Sequence, residues 1–265
     1  MAENRRRNLI TLVVTSCIGY AVGFLITRLI YLAGLAGFGW IEGREPFLSH
    51  NQVVFNATGS TLADTGGLLA VLGLGIVLAL ILPGPGPRGV ARLTVLWTML
   101  HMFLFAGQII LLAPFQSTGV GATLAGYVNL PDTFVWILAG VAAAAILGMG
   151  FIAGPFFLTF APRRGHAEDR EARLRLALLI IGIPWLAGSI ISAIVLLPFE
   201  GLALSIGLAA ILVIVSIVAM ASSALGERWD PTTPTLPIVP GVILIVLIWL
   251  FGFALRPGID VPPWG

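Results

Sequence analysis

Leu93-Thr-Val-Leu-Trp-Thr-Met-Leu-His-Met-Phe-Leu-Phe-Ala-Gly-Gln-Ile-Ile-Leu-Leu-Ala113 runs for 21 residues without one charged side chain. A helix needs about 20 mainly apolar residues to cross the hydrocarbon core of a bilayer. Six more runs of this kind lie at 9–30, 66–83, 133–161, 174–197, 202–223 and 238–255, the second and last of these six-plus-one segments being a little short. The composition agrees. Of 265 residues 58% are hydrophobic and 10% are charged, against roughly 25% charged in a soluble domain. The expectation is an all-α, polytopic bundle of about seven spans forming one integral membrane domain over residues 1–265.

The connections carry the orientation. All 14 basic residues are Arg. Arg5, Arg6 and Arg7 precede the first span, Arg88 and Arg92 follow the second, Arg163, Arg164, Arg170, Arg173 and Arg175 follow the fourth, and Arg228 follows the sixth. Alternate connections thus hold 11 of the 14, and only Arg28, Arg44 and Arg256 fall elsewhere. Positive residues collect on the cytoplasmic side, so the expected topology has a cytoplasmic N-terminus, seven spans and the other end outside, in a bacterial inner-type membrane. The first span reads as retained, because its apolar run is long and shows no small-residue cleavage site.

The side-chain inventory excludes several functions. Without Lys there is no Schiff base and no Walker-A phosphate loop. Cys17 is the single cysteine, which excludes an internal disulfide or an iron–sulfur site. A net charge of +2 is too small to argue for nucleic acid. Of His50, His101 and His166 only His101 sits at membrane depth, so no metal site is evident. No span holds Asp or Glu in its central third, which argues against a proton-coupled pump.

Two patterns remain. Thr94, His101 and Gln108 are spaced by seven along the third span, so they form a polar stripe on one helix face. Small residues recur at four-residue spacing: Gly19 with Gly23, Gly140 with Ala144 and Gly148, and Gly150 with Gly154. Such spacing lets helices approach closely in lipid, either within the bundle or against a partner. Arg28 and Asp64 both fall near the outer interface, where they would pair between the first two spans and where Arg28 has the stem to snorkel. Pro155 and Pro184 are expected to kink the fourth and fifth spans. The connection at 114–132, rich in Gly, Ala and Thr, is a candidate to dip back toward the bilayer under a protein cover.

Three segments in order resemble the site-2-protease-like (M50-type) membrane metallopeptidases. Ser16-Cys-Ile-Gly-Tyr20 resembles that family's zinc-binding helix, with Ser16, Cys17 and Tyr20 standing where His, Glu and His would be. Residues 57–69 resemble its following helix entry, and 96–123 its later helix and loop, with the third ligand near Ala122 or Asp132. The resemblance implies a relative that has lost its zinc ligands, a pseudopeptidase.

The expected function is a non-catalytic scaffold or accessory subunit of a membrane complex, whose partners are the lipid bilayer and other membrane subunits. Cofactors stay unassigned, with lipid, quinone or pigment contact open. The alternative is a small-solute transporter or channel built on the stripe of the third span. An enzyme using His50, Asp64 and Glu45 at the outer face ranks third.

Overall fold

The computed structural model describes residues 2–55, 61–83, 89–116, 120–162, 164–197, 202–224 and 236–261. The Asn56–Ser60 run, most of the Pro83–Pro87 turn, Glu200 and the stretch at 229–234 lie outside the described residues. The chain is mostly helical. α1 (Ala2–Ile41), α2 (Thr61–Ile81), α3 (Gly89–Leu112), α5 (Asp132–Leu158) and α8 (Leu202–Ser222) are single helices. A sixth, Arg170–Leu196, consists of α6 (Arg170–Ala177), a π turn and α7 (Ile183–Leu196). These six are long and apolar enough to cross a membrane. A shorter apolar helix, Ile238–Ala254, begins as α9 (Ile238–Trp249) and ends in a second π turn.

The elements match the seven apolar runs, with one correction at α1. Its helix does not stop near residue 30 but continues to Ile41. Nothing in Tyr31-Leu-Ala-Gly-Leu-Ala-Gly-Phe-Gly-Trp40 breaks a helix outright, and Gly34 is used for packing. A Cβ there would lie 2.7 Å from the Gly66 carbonyl oxygen, so Gly34 and the Gly66–Gly67 pair set the α1–α2 crossing.

Within this mostly helical fold there is one small sheet among the described residues. β1 (Pro46–Leu48) and β2 (Val53–Phe55) form a hairpin, and β3 (Ile259–Asp260) pairs with β1 in the order β2-β1-β3. The chain reverses at Gly43, whose φ of +76° suits glycine. From Arg28 to Ile41 the helix rises ~20 Å, and the strand descending from Arg44 covers about the same length at ~3.3 Å per residue. The hairpin therefore lies along α1 with its tip, residues 49–52, level with Arg28. Arg44 anchors its base, 3.5 Å from Glu42 and with its guanidinium over the Phe55 ring.

The β1–β3 pairing also fixes parity: the chain leaving the Ile238–Ala254 helix returns to the end of the bundle that carries the hairpin. Arg7, Arg92, Arg170, Arg173 and Arg175 gather at the opposite end. There Asp169 caps α6 by accepting from the Ala172 amide at 2.7 Å, and Arg173 donates to the Ala221 carbonyl at the end of α8.

Between residues 114 and 132 the connection folds into a helix, α4 (Val120–Tyr127). Gly121 packs on the last turn of α3, where a Cβ would meet the Ile109 carbonyl oxygen at 2.6 Å. The connection thus turns back alongside α3 with its backbone bonded as a helix.

Candidate functional site

The site is built on a proline. Pro184 has no N–H, so the carbonyl of Ile180, four residues earlier, loses its helical partner. The helix adjusts with a π turn at Leu178–Gly182, closed by the Ile183 amide donating to the Leu178 oxygen. The freed Ile180 carbonyl is taken by α1: Ser16 Oγ donates to it at 2.6 Å. Ser16 Oγ in turn accepts from Trp97 Nε1 at 2.9 Å. Three helices are joined by this relay, and Ser16, Trp97 and Ile180 are all fully buried.

Trp97 and Tyr20 form the floor above the relay. Their rings meet edge to face at 5.0 Å, and Phe157 lies against Trp97 at 4.9 Å. The Tyr20 hydroxyl bonds the Ser189 hydroxyl at 3.2 Å, and Gly188 leaves the room the Tyr20 ring occupies. His101 sits on this floor, 5% exposed, with Tyr20 edge-on at 4.4 Å, Phe24 edge-on at 5.4 Å and Trp97 stacked at 6.1 Å. Its Nε2 is buried and makes no hydrogen bond among the described residues. It lines a pocket of about 20 Å³ between α1, α3 and α8, together with Thr27, Arg28, Gln108 and Ser205. That volume admits a water-sized group. Ser205 Oγ donates to Gln108 Oε1 at 2.9 Å on the pocket wall.

A larger cavity of about 330 Å³ lies directly above, toward the hairpin end. Arg28, Phe105 and Gln108 border both spaces. The Arg28 side chain is 6% exposed, so it does not snorkel: its Nη2 donates to the Asn51 carbonyl at the hairpin tip. Its guanidinium carbon lies 5.4 Å from the Tyr31 ring centre and 5.8 Å from that of Phe105. Stacking on aromatic faces holds a cation at modest solvation. Asn51, Gln52 and Gln116 supply amides at the rim.

Of the polar stripe, His101 and Gln108 meet in the pocket, while Thr94 turns to its own helix, donating to the Val90 carbonyl at 3.1 Å. Asp64 acts electrostatically on the Tyr31 phenol, and the contacts of Arg28 include the hairpin tip. His50 is at that tip, its amide bonded to the Leu255 carbonyl at 3.0 Å and both ring nitrogens buried without a hydrogen bond among the described residues. Burial, then the charges of Arg256 and Arg28, push its pKa below the ordinary imidazole value. Glu45 precedes β1 at the base of the same hairpin, and Asp64 is in the first turn of α2.

The small residues divide. Gly19 and Gly23 face α3, and a Cβ on Gly23 would lie 2.8 Å from the Thr98 amide nitrogen. Gly150 and Gly154 face α8, at 2.9 Å from the Leu212 oxygen and 2.6 Å from the Met220 amide nitrogen on the same measure. Gly140 and Gly148 meet nothing within 4 Å among the described residues.

Among the positions singled out by the metallopeptidase resemblance, Ser16 and Tyr20 are packing residues at the floor, and Cys17 is a half-buried free thiol. Ala122 and Asp132 line a different cavity, at the hairpin end. No group of three or more His, Cys, Asp or Glu side chains suited to a metal occurs among the described residues.

Sequence reasoning missed Ser16, Trp97 and the hairpin tip. Pro184 was the available signal for the first two, since a proline inside an apolar helix leaves a carbonyl that something must satisfy. The chain matches no protein-family model, no curated protein and no solved structure.

Proposed function

We propose that the chain is a non-catalytic integral membrane protein, a scaffold or accessory subunit, crossing the cytoplasmic membrane seven times with its arginine-rich end inside. One observation carries the accessory role. Small residues at four-residue spacing occur on two faces of α5, and among the described residues only the Gly150–Gly154 face is used inside the bundle, against α8. The Gly140–Gly148 face opens outward, flanked by exposed Val141, Leu147 and Phe151. In lipid, where hydrophobic driving force between helices is absent, such a face gains most from close approach of a second helix. A pseudopeptidase derived from the metallopeptidases it resembles would fit the same role, with the zinc positions turned over to packing.

Gly148→Ile is expected to release the partner while leaving the fold intact, because the new side chain meets only lipid in the isolated chain. Native extraction in a lipid-retaining polymer, followed by mass measurement, checks this. Wild-type chain should run in a stoichiometric complex and the variant alone. A wild-type chain recovered alone overturns the reading.

A small-solute transporter is the second reading, favoured by the polar pocket at His101 and the cavity above it. The sealed floor of Tyr20, Trp97 and Phe157 would have to open for passage. Proteoliposome flux in wild type and His101→Ala separates the two.

A further inference from the structure

We propose that the cavity under the hairpin tip is a binding site for a small organic monocarboxylate with an apolar body. Its described lining includes one cation, Arg28, and no acidic residue. The guanidinium presents N–H donors in a planar fork that matches a carboxylate. It is fixed from two sides, by the Asn51 carbonyl and by the Tyr31 and Phe105 rings, so little ordering remains to be done when a ligand arrives. Gln108 adds a second donor: its amide oxygen is engaged by Ser205, which leaves the NH₂ group for the ligand. Below, His101 offers a buried nitrogen without a partner among the described residues, in a pocket that takes one water-sized group. A bridging water or a ligand oxygen there completes the polar end of the site.

The rest of the lining selects the body of the ligand. Leu32, Leu35, Ile109 and Leu112 form apolar walls. A volume of about 330 Å³ is at the small end of ligand cavities, which run from about 300 to 1,000 Å³. It suits a medium-chain or aromatic acid and is too small for a two-chain phospholipid. The rim amides Gln52 and Gln116 face the entrance from the hairpin end. The source of the carboxylate is either the aqueous phase or a fatty acid within the bilayer, and the recognition chemistry is the same.

This site does not depend on a partner at α5. The experiment therefore uses the full chain in phosphatidylcholine nanodiscs, with and without Gly148→Ile, so that docking and ligand binding fail separately. Radiolabelled octanoate is the probe, octanamide its neutral twin, and oleate the bilayer-borne competitor. Octanoate is expected to bind saturably, octanamide at least tenfold more weakly. Arg28→Gln should weaken octanoate at least tenfold, and Arg28→Lys should recover only part, because the fork is lost. Leu112→Trp fills the cavity without touching the cation and should block binding, which keeps the test intact if Arg28→Gln does not fold. Competition by oleate assigns the ligand to the bilayer, and its failure assigns it to the aqueous phase. Three results overturn the site: no saturable octanoate binding, octanamide binding as tightly as octanoate, or wild-type binding in Leu112→Trp.

Discussion

Ser16→Ala lowers the stability of the bundle by about 2–6 kcal/mol. The change removes one hydroxyl and strands two buried groups, the Trp97 Nε1–H and the Ile180 carbonyl. Each orphaned polar group costs about 1–3 kcal/mol. At about 2–4 °C per kcal/mol for a chain of this size, the midpoint should fall by about 4–24 °C. Thermal unfolding in mild detergent, followed by tryptophan emission, measures it. The proline supplies the control. In the double variant Ser16→Ala, Pro184→Ala, residue 184 regains an N–H for the Ile180 carbonyl, so part of the loss should return and the two changes should be non-additive. Additive losses would mean that the proline and the serine act separately.

Gly23→Val should be more damaging still. A Cβ at Gly23 stands 2.8 Å from the Thr98 amide nitrogen and 2.9 Å from the Trp97 carbonyl carbon, both backbone atoms that cannot swing aside. The α1–α3 crossing must open, which also pulls Trp97 away from Ser16. Overpacking of a tight core costs about 1–3 kcal/mol and occasionally more, and here the loss of the relay adds to it. The expected result is failure to recover folded, monodisperse protein. Gly140→Val, with open space around its Cβ, should leave the stability within about 0.5 kcal/mol of wild type, as surface changes do. Equal behaviour of the two variants in size-exclusion and thermal assays would contradict the helix arrangement.

These residues also show what the sequence could and could not reveal. Span positions were legible because apolar length is a one-dimensional property, and the helices at 61–81, 89–112 and 202–222 begin and end within a few residues of the runs. The end of α1 was not legible, because Gly34, Gly37 and Gly39 read as loop-forming while Gly34 serves a helix crossing. The hairpin escaped notice because its strands are three residues each and its stabilisation comes from lying along α1 and from β3, far along the chain. The stripe in α3 pointed to His101 and Gln108 through helical periodicity alone. It gave no sign that Thr94 would turn to its own backbone, or that Arg28 would reach the Asn51 carbonyl, since hydrogen-bond partners 23 or 164 residues apart leave no local pattern. The two faces of α5 looked alike in sequence, and only the position of α8 distinguishes them.

On the proposed topology the hairpin end and the arginine-rich end of the bundle lie on opposite sides of the membrane. Single cysteines in a Cys17→Ser background test it directly with a membrane-impermeant maleimide on intact cells. Val54→Cys and Asp260→Cys, on strands of one sheet, should label without permeabilisation. Glu171→Cys, beside Arg175, should label only after it. Labelling of Glu171→Cys in intact cells together with Val54→Cys would contradict the account.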